Sequence, residues 1–196
     1  MREIRVLLAI LAGAASPQSY AAQFPDKPLR IVTSEAGGGN DVPARILAAG
    51  LTQALGQQVV IENRPSGVIP AETVAHANPN GYTLLFYNNA LWTAPLIQPV
   101  AYEVTRDFAP IALVARAVNV LVVSPALPVK SVPELVAYAK ARPGQINFAS
   151  GGVGGPSHLA SELLKSLAGI NMTHVPFGGD APSLIATIGG QVQLFF

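Results

Sequence analysis

The sequence predicts an α/β fold with two lobes, each a parallel sheet covered by helices, and a cleft between them. From residue 29 onward, short β-prone runs alternate with amphipathic stretches of helical length. Charged residues make up 12% of the 196-residue chain and hydrophobic residues 50%, so most of it is expected to be buried in layers. The 18 Gly and 17 Pro residues follow no repeat, which indicates many short elements joined by tight turns.

Eight runs are predicted to be strands because they are short and rich in β-branched and apolar residues. They are 29–34, 59–62, 83–87, 111–114, 120–124, 147–149, 172–175 and 191–196. A first helix is predicted over about 43–55, with Pro43 acceptable in its opening turn.

Two further helices are predicted from apolar residues that recur on one face. The first carries Val132, Leu135, Val136 and Ala139, and the second carries Leu159, Leu163 and Leu167. Ser131 and Glu134 have the spacing of a capping box that would open the first of them.

The alternation of strands and helices loosens between residues 88 and 106 and resumes near residue 108. We therefore expect the chain to cross between lobes there, with lobe one over 22–110 and lobe two over 111–196. The last predicted strand ends on Phe195 and Phe196 with no turn or polar tail. Lobe two is therefore expected to be incomplete at its C-terminus.

The N-terminus has the pattern of a secretory signal peptide over residues 1–21. Arg2 and Arg5 precede an apolar run, and Ser19 and Ala21 are small residues placed for a signal peptidase. The run is too short to span a bilayer core of about 30 Å, so no permanent membrane anchor is expected. The prediction is a periplasmic protein cleaved after Ala21, with a buried N-terminal helix as the alternative.

The charge and the residue types exclude several classes of function. The formal net charge is +1, and removal of Arg2, Glu3 and Arg5 would leave a neutral chain. No basic run is present to neutralise phosphates, so we expect no nucleic-acid partner. Cysteine is absent and the three histidines have no short ligand spacing, so we expect neither a metal site nor a cofactor.

Two glycine-rich loops each stand between a predicted strand and a predicted helix, where free backbone N–H groups favour an anion. The first contains Gly37, Gly38, Gly39, Asn40 and Asp41, and Asp41 is a candidate helix cap. It lacks the Gly-Lys-Ser/Thr ending of a phosphate-binding loop and the spacing of a dinucleotide fingerprint.

The second loop runs from Ser150 to His158 and includes Gly151, Gly154 and Ser157. Ser157 is a candidate cap and Ser150 a candidate hydroxyl donor. Asn88, just past the third predicted strand, is expected to reach the same cleft. For each loop a plain turn with a helix cap stays the alternative, as does a turn residue for Asn88.

Several motifs in order resemble the Bug, or tripartite tricarboxylate receptor, family. They are Phe24-Pro25-Asp26-Lys27-Pro28-Leu29-Arg30-Ile31-Val32, Gly37-Gly38-Gly39-Asn40-Asp41, Glu62-Asn63-Arg64-Pro65, Pro79-Asn80-Gly81-Tyr82-Thr83-Leu84-Leu85, Phe108-Ala109-Pro110, Ser157-His158-Leu159-Ala160, His174-Val175-Pro176-Phe177 and Gly189-Gly190-Gln191-Val192. The resemblance covers essentially the whole chain after residue 21.

The resemblance implies a two-lobed periplasmic binding protein of type II-like fold that captures a small carboxylate, such as a di- or tricarboxylate, for a membrane transporter. It implies ligand contacts from residues 37–41 and 150–157, with backbone amides doing much of the holding. Asn88 and His158 are added as candidate contacts. The resemblance implies no catalytic residue, and transient contact with transporter subunits.

The chain departs from the family pattern at Thr33-Ser34-Glu35, at residues 66–70 and at Gly178. A Glu35 side chain facing the cleft would repel a dianion, so it is expected to point outward, the alternative being an amide-bearing or cationic solute. Family members also continue well past residue 196. A C-terminally truncated receptor, or a non-functional relic of one, is therefore expected.

Two other functions are weighed. A hydrolase would draw on Ser157, His158, Asp41 and His174, but Ser157 and His158 are adjacent and would point apart at a helix start. His158 and His174 are then packed polar residues, and His76 lies on a helix surface. A binding module that signals to a sensor, and not to a transporter, would use the same closure and stays open.

Overall fold

The computed structural model describes residues 24–196. The predicted signal peptide lies outside the described residues and stays a prediction. No helix within 24–196 has both the length and the apolar character needed to cross a membrane.

The N-terminal half forms a three-stranded parallel sheet with strand order β2-β1-β3. Its strands are β1 (Leu29–Thr33), β2 (Val59–Asn63) and β3 (Thr83–Leu85), and its helices are α1 (Asp41–Leu55) and α2 (Ile69–Ala75). Leu29, Ile31 and Val59 pack against Ala44 and Ala48 of α1. The small residues on α1 let the helix lie close to the central strand β1.

The segment between the two sheets contains only short elements: α3 (Ala90–Thr93), a 3-10 turn (Ala94–Leu96) and α4 (Val104–Asp107). The strand predicted at 111–114 is wrong, because this stretch has no regular structure. Ile111 is 80% exposed and Leu113 71% exposed, and no strand of residues 24–196 pairs with them. An apolar run forms a strand only where a neighbour completes its hydrogen bonds.

The C-terminal half forms a second sheet, with strand order β4-β7-β5-β6. Its strands are β4 (Val122–Val123), β5 (Asn147–Ser150), β6 (Thr173–Pro176) and β7 (Leu194–Phe195), and its helices are α5 (Val132–Lys140), α6 (Pro156–Ala168) and α7 (Asp180–Ile188). β5 is parallel to β6 and β7, whereas β4 is antiparallel to β7. This sheet is therefore mixed, where an all-parallel one was predicted.

The two predicted helical stripes have different outcomes. On α5, Leu135 and Ala139 are buried and Val136 is partly buried, but Val132 is 50% exposed, so the stripe is confirmed in three of its four residues. The Ser131 hydroxyl accepts from the Glu134 N–H, so the predicted cap is confirmed. On α6, Leu163 is 58% exposed and Leu167 78% exposed, so the stripe is wrong. The buried face of α6 instead carries serines, because this face lies over glycine-rich backbone.

The core of the second sheet surrounds Phe148, which is fully buried with Ile146, Leu135 and Leu194. The two sheets fit the predicted pair of lobes, with the lobe boundary at 110–111 remaining a prediction. In each sheet, loops follow the carboxyl ends of the parallel strands, and the loops of the two sheets contact one another. These loops form the candidate site.

Candidate functional site

Loops from both sheets meet around one small cavity. It is lined by Ser34, Asn40, Ser66, Gly67, Tyr87, Asn88, Ala90, Gly151, Gly152, Val153, Gly155, Pro156, Ser157 and Asp180. These residues follow the carboxyl ends of β1, β2, β3, β5 and β6, where ligands of open α/β sheets bind. The free volume is about 20 Å³, which is room for about one water molecule. A larger ligand therefore needs the loops to move apart.

The first glycine loop is held in shape by the carboxylate of Asp41. It accepts hydrogen bonds from the Gly37 N–H at 2.8 Å, from Asn63 Nδ2 at 2.7 Å and from Arg45 Nε at 2.9 Å. Burial by itself raises the pKa of Asp41, but the hydrogen bonds from Arg45, Asn63 and Gly37 outweigh it, so the pKa lies below its ordinary value. Asp41 therefore stays ionised and buried behind the loop.

The predicted role of Asp41 as a helix cap is wrong. Asp41 is the first residue of α1, Asn40 occupies the cap position, and no side chain there caps the helix. The Asp41 carboxylate bonds back to Gly37 instead. The Asp41 carboxylate therefore orders the first glycine loop. The surface of that loop that faces the cavity consists of backbone N–H groups and Asn40.

The second glycine loop is held by Ser157 and His158 from the start of α6. Ser157 Oγ accepts from the Gly151 N–H at 3.2 Å, and His158 Nδ1 accepts from the Gly154 N–H at 3.1 Å. The predicted helix cap at Ser157 is wrong, because α6 begins after Gly155 with no side-chain cap. Both side chains brace the loop from within the helix.

A stack of three rings supports the second loop from below. The His174 ring lies 4.0 Å from that of His158 and 4.9 Å from that of Phe148, between centroids. His174 Nε2 and Ser150 Oγ are hydrogen-bonded at 2.6 Å. Burial, then the neighbouring His158, lowers the pKa of His174 to about 4, and burial also lowers the pKa of His158. Both rings are neutral at pH 7.

The four residues weighed for a hydrolase, Asp41, Ser157, His158 and His174, are not hydrogen-bonded to one another in the described structure. Ser150 is fully buried, and its hydroxyl is bonded to His174. Ser157 contacts the Gly151 N–H and not a histidine. His76, the third histidine, bonds the Glu72 carbonyl at the end of α2, as expected for a helix-surface residue.

Direct contacts join the loops of one sheet to those of the other. Thr93 Oγ1 donates to the Gly154 carbonyl at 2.6 Å. A Cβ added at Gly154 would lie 3.2 Å from Ala94 Cα, and one at Gly152 would lie 3.2 Å from the Gly67 nitrogen. Both glycines have positive φ, so they are needed for conformation as well as for space.

The outward orientation expected for Glu35 is wrong. Its Oε1 accepts from the Asp180 N–H at the start of α7 at 3.0 Å, and the Ser66 hydroxyl donates to its Oε2. The side chain is half-buried and spans from the first loop to the second sheet. An acidic side chain at the end of β1 faces this cleft because two glycines, Gly38 and Gly179, leave room for it.

Asp180 is the site residue that the sequence reasoning missed. Burial and then the charge of Glu35 raise its pKa, while a hydrogen bond from the Gly39 N–H opposes that rise. A Cβ added at Gly151 would lie 2.2 Å from Asp180 Oδ1. The signal available in the sequence was a third strand–loop–helix junction, in which Gly178 and Gly179 precede Asp180 just after β6.

The predicted ligand residues fall into three groups. Asn40, Asn88, Gly151 and Ser157 line the cavity. Gly39 does not line the cavity, but it lies next to Asp180, which does. The others support the loops from behind; these are Gly37, Gly38, Asp41, Ser150, Gly154 and His158.

A larger cavity of about 210 Å³ lies elsewhere, beside Tyr138, Arg142, Gln145 and Gln193. It is at the amino end of β5, because Gln145 and Ile146, the two residues before that strand, line it. Neither glycine loop lines it. Ligand sites in α/β sheets lie at the carboxyl ends of strands, so we assign the site to the smaller cavity.

The chain has the fold of solved periplasmic binding proteins. The structure titled R. palustris Rpa4515 with adipate is 34% identical, with TM-score 0.83, over 88% of this chain and 59% of its own length. MatC from Rhodopseudomonas palustris with bound malate is 32% identical, with TM-score 0.81, over 88% and 60%. The periplasmic binding protein BugD is 30% identical, with TM-score 0.71, over 88% and 59%.

The family model described as the tripartite tricarboxylate transporter family receptor matches residues 43–196. The chain belongs to this family, which confirms the resemblance predicted from the motifs. It spans about 59% of the length of the solved relatives.

Proposed function

We propose that this protein is a periplasmic solute-binding receptor whose two glycine loops capture a small carboxylate and deliver it to a tripartite tricarboxylate-type transporter. One observation carries the proposal: backbone amides at this cleft already bind carboxylate groups. The Asp180 N–H bonds the Glu35 carboxylate at 3.0 Å, and the Gly37 N–H of the first loop bonds that of Asp41 at 2.8 Å. Charge-assisted bonds of this kind are about twice as strong as neutral ones.

The relatives support the same class of solute. The titles of two solved structures give adipate and malate as the bound molecules, and both are small carboxylates. In our proposal a solute carboxylate lies between the Asn40 side of the first loop and the Gly151–Ser157 side of the second. Asn88 and Ser157 supply side-chain hydrogen bonds, and the loops close over the solute.

Calorimetric titration with a panel of small mono-, di- and tricarboxylates tests this function. We expect saturable binding of one molecule per protein for at least one member, and weaker binding after Ser157→Ala. Ser131→Ala, which removes a hydroxyl from the α5 cap outside the cleft, is the matched control and should leave the affinity unchanged. The absence of binding across the panel at millimolar concentrations would reject the proposal.

Export is tested separately by the intact mass of the protein released from the periplasm of its host. We expect the mass to show that cleavage has occurred after Ala21. A protein that retains residues 1–21, or that stays in the cytoplasm, would contradict the periplasmic assignment.

A further inference from the structure

The cleft carries two carboxylates that no cationic side chain compensates. Asp180 lines the cavity from the second sheet, and Glu35 extends from the first sheet to the Asp180 N–H. Of the residues that line the cavity in the described part of the chain, none is Lys or Arg. Arg45, on helix α1 behind the first loop, has a side chain that is 54% exposed and is paired with Asp41.

The two acids form reciprocal contacts across the cleft. Glu35 extends from the first sheet and accepts from the Asp180 N–H at 3.0 Å. Asp180 extends from the second sheet, and its carboxylate accepts from the Gly39 N–H. These amides are therefore already occupied by carboxylates that belong to the protein.

The backbone is shaped to hold Glu35 in this position. A Cβ added at Gly179 would lie 2.3 Å from Glu35 Cδ, and one added at Gly38 would lie 2.4 Å from Glu35 Oε1. Ser66 supplies a hydroxyl to the second oxygen. Both Glu35 oxygens are therefore bonded, one by Asp180 and one by Ser66, and these two residues line the cavity.

We propose that Glu35 determines the specificity of the site by taking the position of a second solute carboxylate, so that the protein prefers solutes with one carboxylate and a neutral hydrogen-bond donor at the other end. This rests on the proposed function. The solute carboxylate lies at the Gly151–Ser157 loop, and its far end faces Glu35 and Asp180. An amide there donates to these oxygens, whereas a second carboxylate meets like charge.

The size of the preference follows from the charges. Two like charges in contact repel each other several times more strongly near a protein surface than in water. A difference of 1.4 kcal/mol is about tenfold in affinity. We therefore expect the mono-amide of a dicarboxylate to bind at least about tenfold more tightly than the dicarboxylate itself.

The test is calorimetry with matched solute pairs: succinate and succinamate, glutarate and glutaramate, and adipate and adipamate. Each pair has one length and differs only in whether one end is a carboxylate or an amide. The wild type should favour the mono-amide in the pair that binds best. Glu35→Gln should reduce or reverse that preference, mainly by tightening the dicarboxylate.

Glu103→Gln is the matched control, because it removes the same charge at an exposed position by α4 that does not line the cavity. It should leave the preference unchanged, and melting curves should show that both variants are folded. Equal or tighter binding of the dicarboxylate by the wild type, or an unchanged ratio in Glu35→Gln, would overturn the role of Glu35 while the receptor function stands. No binding of any solute by any variant would contradict the receptor function itself, and with it this inference.

Discussion

Lowering the pH should destabilise the protein through the stacked histidines beneath the second glycine loop. His174 lies between Phe148 and His158, and its pKa in the folded protein is about 4 against an ordinary value of 6.5. The groups that act on it besides burial are His158, Glu162 and Lys165. A proton on His174 would place a charge between two rings that hold no opposite charge.

The sign follows from proton binding. Between pH 6.5 and 4 the unfolded chain binds a proton at His174 that the folded protein does not, so stability rises with pH in this window. The stabilisation is complete above pH 6.5 and is lost as the pH falls toward 4. The full difference between the folded and the ordinary pKa of His174 corresponds to about 3 kcal/mol in the free energy of unfolding. Because the ring is only partly buried and stays partly hydrated, we expect about 1 to 2 kcal/mol.

Urea unfolding followed by circular dichroism at several pH values between 7.5 and 4 measures this. As the pH is lowered, the free energy of unfolding should fall by about 1 to 2 kcal/mol more in the wild type than in His174→Gln. The glutamine amide keeps a hydrogen bond to Ser150 but does not titrate. Other titrating groups are common to both proteins and cancel in the comparison. Equal pH dependence in the two proteins would refute the role assigned to the stack.

Three further predictions concern single residues. Phe148→Ala should lower the free energy of unfolding by about 3 to 5 kcal/mol in urea unfolding, because it empties the centre of the second core. Asp41→Asn should cost about 2 to 4 kcal/mol in the same assay, because an amide cannot accept from Gly37, Asn63 and Arg45 together, and a loss under 0.5 kcal/mol would contradict this. Ser157→Ala should weaken carboxylate binding about fivefold to tenfold in calorimetry, with an unchanged affinity removing its hydroxyl from the site.

Much of the fold was predictable because its elements have strong local signals. The strands of the first sheet carry β-branched residues at the buried positions, and their predicted bounds differ from the observed ones by two residues at most. The capping box of α5 was predictable for the same reason, since Ser131 and Glu134 interact within one turn.

Two wrong predictions depended on features that propensity and periodicity do not report. The run 111–114 has strand propensity but no pairing partner in the described residues, and propensity alone does not decide its structure. The leucine stripe of α6 had the right period, but the helix turns its serines inward because Ser157 braces the Gly151 N–H. Helical periodicity does not report this contact, although its two residues lie only six positions apart.

The site was predictable as two glycine loops but not as an acidic cleft. Loops at the ends of parallel strands meet by topology, so Asn40, Gly151 and Ser157 were found. The orientation of Glu35 depends on an amide at Asp180, 145 residues away. No spacing rule connects such a pair, and only the packing of the two sheets brings them together.

A crystal structure of the protein with its best-bound small carboxylate tests the central claim most directly. The account predicts the solute carboxylate within hydrogen-bond distance of N–H groups in the Gly151–Ser157 loop, with its far end facing Asn40 and Glu35 across the cleft. A solute bound in the cavity beside Arg142, or in contact with one glycine loop alone, would contradict it.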